Sequence, residues 1–235
     1  MPPTLPRRRL RAVYRQLLAH HGPQHWWPAE TPFEVIVGAV LTQNTAWTNV
    51  ERAIANLVRS DALDPGALVA LPEGRLAELL RPSGYFNVKA ARLRAVCRWY
   101  LAEGGHGRLR RWPTGRLRET LLGLHGVGPE TADAILLYAF GRPVFVIDAY
   151  ARRLFSRLGV IGGREPYETL RAGFEHALGA DAALFNEYHA LIVAHAKASC
   201  RVRPRCAGCC LRRGCPAGRD ASGVRPPGAP SGPAR

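Results

Sequence analysis

What the 235-residue chain lacks narrows its class first. No run of eighteen apolar residues occurs, so no membrane-spanning helix is expected. The opening residues "MPPTLPRRRLRAVY" lack the apolar stretch of a signal peptide, which points to a cytoplasmic protein. Strand-like patterning is nearly missing: only "PVFVID" at 143–148 reads as extended, and it is too short and isolated for a sheet. Acids are scarce, 18 against 33 Lys+Arg, which leaves a formal net charge of +15. A surplus of this size calls for a polyanionic partner, most often nucleic acid. Lysine is scarcer still: Lys89 and Lys197 stand alone, so 31 of the basic residues are arginine. A GC-rich codon bias accounts for arginine over lysine, but not for the shortage of acids. With 47% apolar residues, the chain is long enough for one large domain or two small ones with real cores.

What is present is helical periodicity. In "RLRAVYRQLLAHHG" the residues Leu10, Val13, Leu17 and Leu18 share a face, and "PFEVIVGAVLTQNT" is apolar for three turns, as a buried helix is. Later segments such as "KAARLRAVCRWYLAE", "ETADAILLYAF" and "ALFNEYHALIVAHAKASC" continue the pattern between Gly and Pro punctuation. The expectation is an all-α fold of about ten helices with short connections. Residues 217–235, rich in Pro, Gly, Ser and Arg, have no core-forming side chains and read as a disordered tail.

In "LHGVGPETAD" the backbone must turn at Gly126 and Gly128, and Pro129 suits the first position of a helix. N–H groups at such a turn and at the helix start attract an anion, typically phosphate, and glycine allows it to approach closely. A dinucleotide fingerprint would need a third glycine where Thr131 stands, and a strand where 121–124 reads as helix. A helix-hairpin-helix that grips a DNA backbone phosphate fits better; a plain helix corner also satisfies the residues.

The cysteines Cys200, Cys206, Cys209 and Cys215 follow C-x5-C-x2-C-x5-C. Clustered in a chain without an export signal, they read as metal ligands rather than disulfides. Zinc usually takes two C-x2-C knuckles, whereas the wider gaps suit an iron–sulfur cluster. Cys210 is surplus and an alternative to Cys209 as third ligand; Cys97 lies on an apolar helix face and reads as core. Arg201, Arg203, Arg205, Arg212 and Arg213 surround these cysteines, so a rigid cluster would present them to phosphates.

Taken together, "LxGVGxxTAxAIL…VxD", "VGAVLTQNTAW", "SGYFNVKAARL" and the cysteine spacing resemble the endonuclease III superfamily of DNA glycosylases over about 32–215. The resemblance implies a two-lobed helix-hairpin-helix glycosylase fold. A six-helix barrel lobe would span 32–142, and a discontinuous lobe of 1–31 and 143–216 would carry a 4Fe-4S cluster. Family members space these cysteines C-x6-C-x2-C-x5-C, one residue longer in the first gap. By the same resemblance Gln43 enters the DNA gap left by an everted base and Tyr85 wedges into the duplex. Gly126, Gly128 and Thr131 meet the DNA backbone. The partner implied is double-stranded DNA containing a damaged base, bound by a monomer.

In that family position Asp148 stabilises an oxocarbenium-like sugar and orients the attacking water; capping the next helix is compatible with this. Bifunctional members carry a lysine where this chain has Glu130, which cannot form an imine. The reading is a monofunctional glycosylase, with Glu130 either acting at the site or simply favouring its helix terminus. The motifs "WWP", "VLTQNT" and "ETADAIL" resemble the 3-methyladenine glycosylase branch, which implies alkylated purines as substrate. Trp26 and Trp47 would stack the base, Lys197 would reach it, and Trp27 would fill the core. The alternatives are an enzyme on oxidised or mismatched pyrimidines, and a non-catalytic DNA-binding homologue in which Glu130 marks a lost active site.

Overall fold

The computed structural model describes residues 4–220. Every regular element among them is helical, and none is long and apolar enough to cross a membrane. The chain divides into two compact units, Trp27–Val144 and a discontinuous unit of Met1–Trp26 with Phe145–Arg235.

The continuous unit contains α2 (Pro32–Leu41), α3 (Trp47–Arg59), α4 (Pro65–Ala70), α5 (Glu73–Leu80), α6 (Phe86–Ala102), α7 (Gly105–Leu109), α8 (Thr114–Leu122) and α9 (Pro129–Ala134). A 3-10 turn (Arg81–Ser83) precedes α6, and a π turn (Ile135–Ala139) continues α9. Helix α2 starts where Thr31 accepts a hydrogen bond from the Glu34 N–H and Pro32 fills the first helical position. Its residues 35–41 are all buried, as its uniform apolarity requires. Helix α3 instead buries Val50, Ala53, Ile54 and Leu57, the i, i+3, i+4, i+7 stripe of an amphipathic helix. On α6 the Cys97 side chain is fully buried, and burial pushes its thiol up to about 12; it is core.

The discontinuous unit packs α1 (Arg7–His21) with α10 (Ala149–Arg157), α11 (Tyr167–Leu178), α12 (Ala182–Ala198) and the short α13 (Pro216–Asp220). Leu10, Val13 and Leu17 of α1 are buried, and the Tyr188 hydroxyl of α12 donates to the Leu10 carbonyl at 2.8 Å. Stacked Phe145 and Phe174 rings, 4.6 Å apart, lie beside Phe155, Phe185 and Tyr188.

The division falls at Trp26/Trp27 and Val144/Phe145 rather than at 31/32 and 142/143. Packing explains the shift. The Trp27 ring meets Trp47 and Tyr138, each at 5.0 Å between centroids. It also lies so close to α2 that a Cβ on Gly38 would sit 3.0 Å from it. At the other junction Arg142 donates to the carbonyls of Arg110 and Trp112. Residues 217–220, expected to be disordered, are instead helical, because Pro216 opens α13, which packs on α10; the rest of the expected tail, 221–235, lies outside the described residues.

Candidate active site

Two helices meet at the hairpin, as a helix-hairpin-helix requires: α8 ends at Leu122, and α9 begins at Pro129. Gly126 has φ 82°, and a Cβ there would fall 2.4 Å from the Arg92 side chain. Left-handed geometry and close approach both demand glycine at this position. Gly128 is extended, and a Cβ there would meet nothing; no protein contact explains its lack of a side chain. No side chain caps α9, so its first-turn N–H groups suit an anion. Asp133 of α9, fully buried, accepts from Arg118 of α8 at 2.6 and 3.2 Å. This two-point ion pair fastens the hairpin's legs together.

Gln43 is not splayed outward. Its amide N–H group donates to the Gly126 carbonyl and the Thr131 hydroxyl, both at 3.0 Å, and its carbonyl accepts from Arg92. Tyr85 is 71% exposed and holds a left-handed backbone, φ 46°, at the start of α6. For a non-glycine residue this is a strained conformation that needs support. Buried Lys89 lies nearby in the chain. Its ammonium donates to the Ser83 carbonyl at 2.6 Å and to the Leu41 carbonyl at 2.8 Å. One cation thereby ties the turn before Tyr85 to the end of the helix that leads to Gln43. Burial, then the neighbouring Arg92, pulls the Lys89 ammonium down to about 8.

Asp148 is buried at the head of α10, where its Oδ1 accepts from the Ala151 N–H at 2.6 Å. Its Oδ2 lies 3.4 Å from Nε2 of buried His189 on α12. The sequence reading missed His189; the available signal was a histidine within the apolar run of α12. The Lys197 ammonium sits over the Trp26 ring, 5.8 Å from its centroid. Trp47 belongs to the other unit, where it packs edge-on against Trp27. Glu130 is exposed in the first turn of α9.

The thiols of Cys200, Cys206, Cys209 and Cys215 line one pocket with an empty space, open mouth included, of about 390 Å³. Its lining also includes Leu154, Leu158 and Leu211 alongside Arg157, Arg205, Arg212 and His195, and Cys210 is absent from it. Burial, then the other three thiols, raises the Cys209 thiol, while the Leu211 N–H lowers it. Two arginines of α10 hold the loop: Arg153 donates to the Cys200 carbonyl, and Arg157 to the Arg201 and Val202 carbonyls and to the Cys200 sulfur. Arg201, Arg203, Arg205, Arg212 and Arg213 are exposed around the pocket.

Residues 37–178 match the HhH-GPD superfamily of base excision DNA repair proteins. The chain belongs to this superfamily. MJ1434 of Methanocaldococcus jannaschii, provisionally named a DNA repair glycosylase, is 47% identical over 86% of this chain and 94% of its own. Endonuclease III of Thermotoga maritima is 32% identical over 78% and 82%. Among solved structures, the H. pylori 3-methyladenine DNA glycosylase MagIII bound to 1,N6-ethenoadenine has 31% identity and a TM-score of 0.71, covering 82% of this chain and 97% of its own. A non-covalent endonuclease III–DNA complex shares the fold at 20% identity, with a TM-score of 0.80 and coverage of 93% and 99%. This HhH-GPD member is therefore a DNA repair glycosylase with the all-α fold of that superfamily.

Proposed function

We propose that this glycosylase is monofunctional: it hydrolyses the bond between sugar and damaged base with water, and it acts on alkylated purines. The observation that carries the reading is the fixed carboxyl of Asp148, held through one oxygen by the α10 N-terminus and faced at the other by His189. A carboxylate so oriented steadies positive charge on the sugar as the bond breaks and positions the attacking water. His189 keeps the second oxygen in place and is a positioning residue.

The scarcity of amines supports hydrolysis. Glu130 occupies the position of the family's imine-forming lysine and cannot form that adduct. The Lys89 amine is buried on two carbonyls, Ser83 in the turn before Tyr85 and Leu41 at the end of α2. Gly126, Gly128 and Thr131 serve as the phosphate grip, with Gln43 and Tyr85 as the duplex-probing residues. Gln43 must give up its bonds to the hairpin to enter a gap, so we assign its resting contacts to the DNA-free state. Trp26 is the base-stacking face in Asp148's unit; Trp47, braced by Trp27, is the second stacking candidate. The ammonium of Lys197 already faces Trp26 and disfavours another cation on that ring. A neutral alkylated purine is therefore expected to be excised ahead of a permanently charged one.

The four thiols fit a 4Fe-4S cluster: four soft donors line one pocket. We infer that Cys200, Cys206, Cys209 and Cys215 hold it, and that it serves to cross-link the loop that presents the five arginines. Base release measured across methylated, etheno, oxidised, deaminated and mismatched duplexes tests the function. Release from alkylated purines, abolished in Asp148→Asn with DNA binding kept, is expected. Release confined to oxidised or mismatched pyrimidines would overturn the substrate assignment, and no release from any duplex would leave a DNA-binding homologue.

A further inference from the structure

The surplus thiol has company. His20 and His21 end α1, and one ring nitrogen of each lies with the Cys210 sulfur in a group whose ligand atoms are all within 4.8 Å of one another. A third imidazole stands against this group. His195, fully buried on α12, brings its Nδ1 to 3.1 Å from Nε2 of His21 and 4.0 Å from the Cys210 sulfur. All four residues belong to the same discontinuous unit. None is needed by the four-thiol pocket as a ligand, and the group contains no carboxylate.

The donor chemistry selects the occupant. Three imidazole nitrogens and one thiolate are poor ligands for magnesium or calcium, which prefer oxygen. They suit a borderline ion that accepts four mixed nitrogen and sulfur donors in a tetrahedron. His20 is exposed, so an ion has a way in, while buried His195 supplies a fixed back wall. We propose that His20, His21, Cys210 and Nδ1 of His195 form a mononuclear zinc site beside the four-thiol pocket. The two are linked through one ring: Nε2 of His195 lies 3.4 Å from the Cys209 sulfur. With Nδ1 on the metal, the ring's proton resides on Nε2 and points at that sulfur, the outer-shell arrangement that fixes a histidine tautomer.

The competing arrangement is a hydrogen-bonded chain of imidazoles without metal, and X-ray absorption at the zinc edge separates the two. Iron-loaded protein equilibrated with Zn2+ is expected to retain one zinc per chain besides its iron. Its first shell should contain one sulfur at about 2.3 Å and nitrogen at about 2.0–2.1 Å. Cys210→Ser should remove the sulfur scatterer and weaken zinc binding more than about 100-fold, beyond the usual effect of losing an outer-shell partner, with iron content unchanged. His20→Asn, at an exposed position, should weaken zinc binding likewise and keeps the test open if Cys210→Ser disturbs Cys209. Absence of stoichiometric zinc, a shell of four sulfurs, or zinc affinity indifferent to both substitutions would overturn the site.

Discussion

The hairpin at 123–128 and the cysteine loop at 200–215 both offer a DNA backbone something to hold, but they are fixed by different means. The hairpin is stitched by protein bonds alone: the Arg118–Asp133 pair, the Gln43 contacts to Gly126 and Thr131, and the Arg92 side chain packed under Gly126. The cysteine loop surrounds a pocket, and its protein anchors come chiefly from Arg153 and Arg157. A backbone turn can be held by hydrogen bonds because its donors and acceptors satisfy one another. A loop of exposed arginines repels itself and needs a cross-link before it can present a fixed surface.

Removing the cross-link should therefore have the largest effect. Cys206→Ser is expected to lose iron and weaken DNA binding by about 100-fold at low salt. The slope of log affinity against log salt should shrink by about 0.9 for each phosphate that is no longer neutralised. Titrations of a labelled duplex at several salt concentrations measure both. The hairpin counterpart is Asp133→Ala, which removes the two-point ion pair with Arg118 and should cost about 3–5 kcal/mol in denaturant unfolding, with iron content unchanged. If iron is lost there too, the two regions are not independently fixed.

Lys89 gives a third handle, through pH. The unfolded chain keeps its proton up to the ordinary lysine value of 10.5, and the folded chain releases it near 8. Between those values unfolding takes up a proton, so raising the pH stabilises the fold. Relative to Lys89→Met, the wild type should gain about 3 kcal/mol between pH 8 and 10.5, measured by denaturant unfolding across that range. A flat difference would mean that the ammonium is better solvated than its burial implies.

The two hairpin glycines should part company most finely. Gly126→Ala is strained by its φ and meets Arg92, and should cost about 1–3 kcal/mol of stability. Gly128→Ala should leave stability nearly unchanged while weakening DNA binding about tenfold, as expected where a phosphate must approach closely. Thermal melts and binding isotherms on both variants make the comparison.

The helices were legible because apolar spacing is a local property: α2 and α3 differ in pattern, and their burial follows it. The hairpin and the four pocket cysteines were legible for a similar reason, since each is written in one short stretch. What the sequence hid was pairing over distance. Lys89 reads as part of a duplex-wedging segment, and nothing near it in the chain reveals that the Leu41 carbonyl awaits its ammonium. Gln43 reads as outward-reaching, yet its partners lie 49 to 88 residues away. His189 and His195 lie in the apolar run of α12, and both are buried. Only the folded chain sets one against Asp148 and the other between Cys209 and His21. Trp26 and Trp27 are neighbours in sequence but belong to different units, a division that no local pattern records.

The central claim is that water, guided by Asp148, completes the displacement. Borohydride treatment during excision of an alkylated purine tests it most directly. The account predicts that abasic sites accumulate while no protein becomes covalently attached to the DNA. A trapped protein–DNA adduct, formed by wild type in step with base release, would show an amine attacking the sugar and would contradict it.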